Sequence, residues 1–94
     1  MTESDGIDAI LKERGSRYGS FLRHANVTQE IKYSIRLGEN WSHMRNDQKE
    51  ALEMIAHKIG RIVNGDQNHR DSWDDIAGYA TLVSRNIEPQ KPTP

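Results

Sequence analysis

Two acidic segments, about twenty residues apart, carry the residue types in this chain that could do chemistry. The first reads Glu50-Ala-Leu-Glu53-Met-Ile-Ala-His57-Lys58-Ile-Gly-Arg61, the second Asp71-Ser-Trp-Asp74-Asp75-Ile-Ala-Gly78-Tyr79. In both, carboxylates recur every three or four residues on a segment whose other face is apolar. Residues so spaced are neighbours on one side of a helix. Glu50, Glu53 and His57 therefore share one stripe, and Asp71 and Asp75 share another. Two such helices packed side by side would bring four carboxylates together. Like charges crowded in a dry place either shift their pKa values or bind a cation, which is the geometry of a magnesium site holding a nucleotide's phosphates. The competing reading is a pair of solvated faces, the ordinary fate of charges at helical spacing. Repetition of the stripe on two consecutive helices favours the site.

His57 and Arg61 extend the ladder by four residues each. His57, Lys58 and Arg61 are expected to meet a phosphate or a base, the alternative being a simple Glu53–His57 pair along the helix. A second segment, Arg14-Gly15-Ser16-Arg17-Tyr18-Gly19, suits a loop that closes on an anionic or aromatic ligand. Arg14 and Arg17 offer planar donor forks for phosphate, and Tyr18 can stack on a base. A helix end followed by a buried tyrosine reads equally well. Neither the lysine-containing phosphate loop nor the Gly-x-Gly-x-x-Gly turn is present. His24, His43 and His69 are scattered without zinc spacing.

The elements that must position these residues are helices. Ser4 or Asp5 caps a first helix bearing Ile7, Ile10, Leu11 and Arg14, which stops at Gly15. The glycine-rich stretch to Phe21 is expected to be irregular. A second helix runs from Phe21 or Asn26 to Leu37, with Val27, Ile31 and Ile35 four apart, and Gly38–Ser42 forms a loop. Asn46 or Asp47 caps a third helix with the apolar stripe Leu52, Ile55, Ala56, Ile59, Ile62 and Val63, ended by Asn64-Gly65. Asp71 or Ser72 caps a fourth, carrying Trp73, Ile76, Ala77, Ala80 and Val83. Mid-helix Gly60 costs about 1 kcal/mol relative to alanine, so a partner helix or a ligand should pass close to it. Gly78 poses the same question, and two facing glycines would draw the acidic stripes together. Trp41 and Trp73 are expected in the core or an interface.

Composition sets the limits. The 94 residues form one domain over 1–87, followed by a Pro-rich tail, 88–94, expected to be extended and mobile. A hydrophobic fraction of 34% allows only a small core, and mean hydropathy is −0.88. The fold class expected is therefore all-α, a compact bundle of about four helices completed by homo-oligomerisation through the third and fourth. A net charge of −1 argues against strong nucleic-acid binding. There is no cysteine to form a disulfide or a thiolate metal site. No apolar run spans a bilayer or resembles a signal peptide, so a cytoplasmic protein is expected.

Taken together, Glu50-x-x-Glu53, His57-Lys58-Ile59-x-Arg61-Ile62 and Asp71-Ser-Trp-Asp-Asp75-Ile-Ala-Gly-Tyr79-Ala resemble the second half of the all-α nucleotide pyrophosphohydrolase superfamily. That is the MazG-like and dimeric dUTPase-like group, and in particular its small bacteriophage and prophage relatives. Arg14-Gly15-Ser16-Arg17-Tyr18-Gly19 is similar to the typical start of those chains. The family pattern is Glu-x-x-Glu followed by Glu-x-x-Asp. Here Ser72 stands where the second glutamate would be, and Asp71 is one residue earlier on the same face. The resemblance implies a MazG-like bundle in which Glu50, Glu53, Asp71 and Asp75 are metal-binding and catalytic. They would hold Mg²⁺ for hydrolysis of a nucleoside triphosphate to monophosphate and pyrophosphate. Arg14, Arg17, Tyr18, His57, Lys58 and Arg61 would bind the nucleotide. It also implies the cytoplasm of a phage-infected host. The main alternative is a non-catalytic counter-defence protein that sequesters a nucleotide or cyclic nucleotide immune signal. A third is a structural or regulatory helical protein.

Overall fold

The computed structural model describes residues 3–88, with side chains from Gly6 onward. Tail residues 89–94 lie outside the described residues. Four helices follow one another: α1 (Glu3–Tyr18), α2 (Phe21–Arg36), α3 (Asn46–Asn64) and α4 (Arg70–Arg85), with a single 3-10 turn at Trp41–His43 between α2 and α3. No strand occurs among the described residues. The chain is all-α, a four-helix bundle that is compact across its width and drawn out along one axis, 68 × 25 × 24 Å. Among the described residues no helix is long and apolar enough to cross a membrane.

The first two helices are joined more tightly than expected. Gly15 does not end α1, because nothing approaches it and the helix simply continues through it. The break falls at Gly19, whose φ of 77° belongs to the left-handed region. Its N–H still bonds the Gly15 carbonyl at 3.0 Å, closing the last turn of α1. Ser20 then caps α2, its hydroxyl accepting from the Arg23 N–H at 3.5 Å. Only Gly19 and Ser20 separate the two helices, so the expected irregular loop is a two-residue corner.

That corner crosses the α3–α4 connection at close quarters. A Cβ on Gly19 would lie 1.9 Å from the Asn64 carbonyl oxygen, and one on Gly65 would lie 2.3 Å from the Arg17 carbonyl oxygen. The Asp66 N–H donates to that same Arg17 oxygen at 2.6 Å. Both glycines are needed because two backbones touch here. Trp73 steadies the loop beyond, donating from Nε1 to the Gln67 carbonyl at 2.8 Å. The indole itself is exposed rather than core.

α3 is the central helix and packs on both α2 and α4. Its inward residues form two stripes. Glu53, His57, Gly60 and Asn64 follow a 4-3-4 spacing toward α2, where they meet Arg36, His24 and Thr28. Ala51, Ile55, Lys58 and Ile62 follow the same spacing on the side where Lys58 reaches Asp75 of α4. This divides the expected apolar stripe. Ile62 and Ala56 are buried, whereas Leu52, Ile59 and Val63 face outward. On α4 the inward positions are Ser72, Ile76, Tyr79 and Val83, with Ser72 3% exposed. Gly78 is exposed with open space around it, so it does not face Gly60. Among the described residues the buried hydrophobics are Ala51, Ala56 and Ile62 alone. α1 rests lightly on the rest, with Ile7, Ile10 and Leu11 exposed along one side.

Candidate functional site

The α1–α2 corner and the middle of α3 enclose a cavity of about 660 Å³, within the size range of small-molecule sites. Leu11, Arg14 and Tyr18 line it from α1, Phe21 and His24 from α2, and His57 and Arg61 from α3. Its wall is mostly apolar. A second, more polar cavity of about 300 Å³ is bordered by Ile10, Glu13, Arg14, Arg17, Tyr18 and Arg61. The two share Arg14, Tyr18 and Arg61. One compartment thus offers apolar and aromatic surface, and its neighbour offers three guanidinium groups.

Local packing sets these side chains. The Arg61 guanidinium lies over the Tyr18 ring, 4.2 Å from its centroid, a cation–π contact that holds the arginine at the shared border. The His69 ring meets the same tyrosine edge-on at 5.6 Å. Arg17 pairs with Glu13 one turn earlier at 3.0 Å, and both groups are well exposed. His24 Nε2 and His57 Nδ1 are 3.3 Å apart at the floor. Burial is the main cause that lowers His57 from an ordinary 6.5 to about 4, with Arg61, His24, Lys58 and Lys32 adding like charge. His24 is also lowered, chiefly by burial, and a hydrogen bond to Gly60 opposes the shift.

Of the residues expected to bind a ligand, Arg14, Arg17, Tyr18, His57 and Arg61 come together in these two cavities. Lys58 does not. Its side chain is 11% exposed, and its ammonium sits 2.9 Å from Asp75 on α4.

The acidic residues are placed differently from the expected cluster. Glu53 is gripped by Arg36 of α2, whose Nε lies 2.9 Å from Oε1 and whose Nη2 touches the same oxygen. Asp75 holds Lys58. Asp71 lies 4.0 Å from His69 Nε2, and Glu50 is exposed. Among the described residues no three His, Asp or Glu side chains group to hold a metal ion. Ser72, at the position where the resemblance expects glutamate, is buried on the inner face of α4. Two of the four carboxylates thus pair with cations from neighbouring helices, and the four are not brought together in one cluster among the described residues.

Sequence reasoning missed Leu11, Phe21 and His24 as cavity residues. Gly60 carried the available signal for His24: the mid-helix glycine marks a close approach, and the approaching element is α2 at His24 and Thr28.

Fold and site together define an all-helical bundle protein with an arginine-bordered cavity at a helix corner. Residues 4–87 match the family described as a domain of unknown function, DUF6378, and the chain belongs to that family. No curated protein and no solved structure matches it.

Proposed function

We propose that this chain is a nucleotide-binding protein that holds its ligand at the α1–α2 corner. The observation that carries this reading is the pair of adjoining cavities sharing Arg14, Tyr18 and Arg61. The apolar compartment suits a base, flanked by Leu11, Phe21 and Tyr18. The polar one suits phosphates, because Arg14, Arg17 and Arg61 present planar forks that match phosphate oxygens. Binding without turnover is favoured over Mg²⁺-dependent pyrophosphohydrolysis. For the latter, Glu53 would have to leave Arg36 and Asp75 would have to leave Lys58. Sequestration of a nucleotide or cyclic nucleotide, as a phage counter-defence protein would perform it, needs the arginines and the aromatic wall but not the carboxylates.

The working unit is a homo-oligomer in this reading. Ile7, Ile10, Leu22, Leu52, Ile59, Val63 and Leu82 are exposed on the four helices and supply apolar surface that a second copy can cover. Light scattering at micromolar concentration should give a mass above 10.8 kDa.

Thermal shift and equilibrium binding with the four nucleoside triphosphates and with cyclic dinucleotides test the ligand. At least one should bind, and Arg61→Ala or Arg14→Ala should weaken it about tenfold to a hundredfold, the worth of a charge-assisted phosphate contact. The ligand should be recovered intact after denaturation. Pyrophosphate release that needs Mg²⁺ and disappears in Glu53→Gln would replace binding by hydrolysis.

A further inference from the structure

The three arginines at the corner are not equally available to a ligand. Arg17 Nη2 lies 3.0 Å from Glu13 Oε1 one turn earlier on α1, so each charge answers the other. Arg14 and Arg61 have no such partner. Among the described residues neither meets a carboxylate within ion-pair distance. Both border the apolar cavity as well as the polar one, whereas Glu13 and Arg17 border the polar one alone. The two unbalanced cations therefore stand at the junction of the compartments.

Arg61 is steadied there rather than neutralised. Its guanidinium carbon lies 4.2 Å from the Tyr18 ring centroid. A ring face offers the cation no oxygen acceptor and no full negative charge, so the N–H donors stay available. Arg14 is one turn before Tyr18 on the same side of α1. On the floor, burial opposes charge on both His24 and His57, so neither adds to the count at pH 7. The side chains bordering the two cavities thus include three arginines against one glutamate, an excess of two positive charges.

We propose that the anion bound here is one terminal phosphate group, which makes the ligand class a nucleoside monophosphate. The proposal rests on the nucleotide reading above and narrows it. A terminal phosphate carries about −1.5 to −2 at pH 7, which matches the excess. Its three oxygens can accept from two guanidinium forks at once. One polar compartment of about 300 Å³ adjoins one apolar compartment of about 660 Å³, a place for one phosphate beside one base. A second or third phosphate finds no unbalanced cation left to meet, and it adds negative charge along a wall that already holds Glu13. A 3′,5′-cyclic monophosphate brings only one charge. A cyclic dinucleotide divides its two charges between separate phosphodiesters.

Calorimetric titration in one buffer of fixed ionic strength, with EDTA, tests this. The probes are AMP, GMP, CMP and UMP, each with its nucleoside, diphosphate and triphosphate. At least one monophosphate should bind. Its nucleoside should bind about a hundredfold more weakly, the worth of two charge-assisted contacts. Its diphosphate and triphosphate should stay within about threefold of it, the scale of exposed charge interactions. The 3′,5′-cyclic form should be about tenfold weaker than the monophosphate. Arg14→Ala should weaken the monophosphate about tenfold and leave the nucleoside unchanged, whereas Arg17→Ala should cost less than about threefold. Glu13→Gln frees Arg17 and should tighten the triphosphate more than the monophosphate. A tenfold gain with each added phosphate overturns the proposal and leaves the nucleotide reading standing. So does binding of cyclic di-AMP or cyclic di-GMP by a chain that binds none of the four monophosphates. A nucleoside that binds as tightly as its monophosphate also overturns it, as does an Arg14→Ala chain with undiminished monophosphate affinity. Failure of every nucleoside, nucleotide and cyclic dinucleotide to bind removes the nucleotide reading, and this inference with it.

Discussion

Lowering the pH should unfold this protein through His57. The unfolded ring binds a proton near pH 6.5, but in the folded chain its pKa is lowered to about 4, first by burial. Between those values the unfolded state holds the extra proton, so stability is full above pH 6.5 and falls as the pH drops toward 4. At about 1.36 kcal/mol per pH unit the span corresponds to roughly 3 kcal/mol. The ring lines an open cavity, and solvent screening reduces this to about 1–2 kcal/mol. Acid also acts on the other ionisable groups of the chain, so a reference is needed. His57→Phe keeps a ring and removes the titration. Urea unfolding from pH 7.5 to 4, at one fixed protein concentration, should show the native chain losing about 1–2 kcal/mol more than the variant. Equal slopes for the two chains would refute the argument that the folded structure excludes the proton.

Gly60→Ala should gain about 1 kcal/mol of helix propensity and lose more, because its methyl overlaps Thr28 and His24, giving a net loss of about 2 kcal/mol or more in chemical denaturation. Gly78→Ala meets nothing and should stabilise by about 1 kcal/mol, raising the melting temperature by several degrees; a fall would show that a second copy occupies that space. Gly19→Ala combines a left-handed backbone with overlap on Asn64, and Gly65→Ala overlaps the Arg17–Tyr18 backbone; circular dichroism should show both largely unfolded at a temperature where the native chain is folded. Trp73→Phe removes the bond to the Gln67 carbonyl while keeping a ring, and should cost about 1 kcal/mol on urea unfolding.

Although α3 and α4 start ahead of the expected caps, after Arg45 and His69, helix content, order and the C-terminal ends of α2 and α3 were legible because apolar spacing is a local signal. The end of α1 was not. Gly15 and Gly19 are equivalent as residues, and only the crossing with Asn64 and Gly65 selects Gly19 for the left-handed turn. The cationic and aromatic half of the candidate site could be read from residue type, since Arg14, Arg17, Tyr18, His57 and Arg61 meet in the cavities. The acidic half could not. Spacing placed Glu53 and Asp75 on stripes, but their cations, Arg36 and Lys58, come from facing helices that no local pattern reveals. His24 was hidden for the same reason: its partner is thirty-three residues away.

In the reading proposed above, the two-residue corner at Gly19 and Ser20 makes ligand affinity and the direction of α1 a single thermodynamic quantity. One wall of the cavity belongs to α1 through Leu11, Arg14 and Tyr18, and the opposite wall belongs to α3 through His57 and Arg61. The backbone crossing at Gly65 fixes the base of α1, like a hinge pin, while its outer turns make few attachments of their own. A molecule bridging the walls therefore sets the angle of the arm. By reciprocity, whatever grips Ile7 and Ile10 at the far end pre-orders the cavity and tightens it by the same factor.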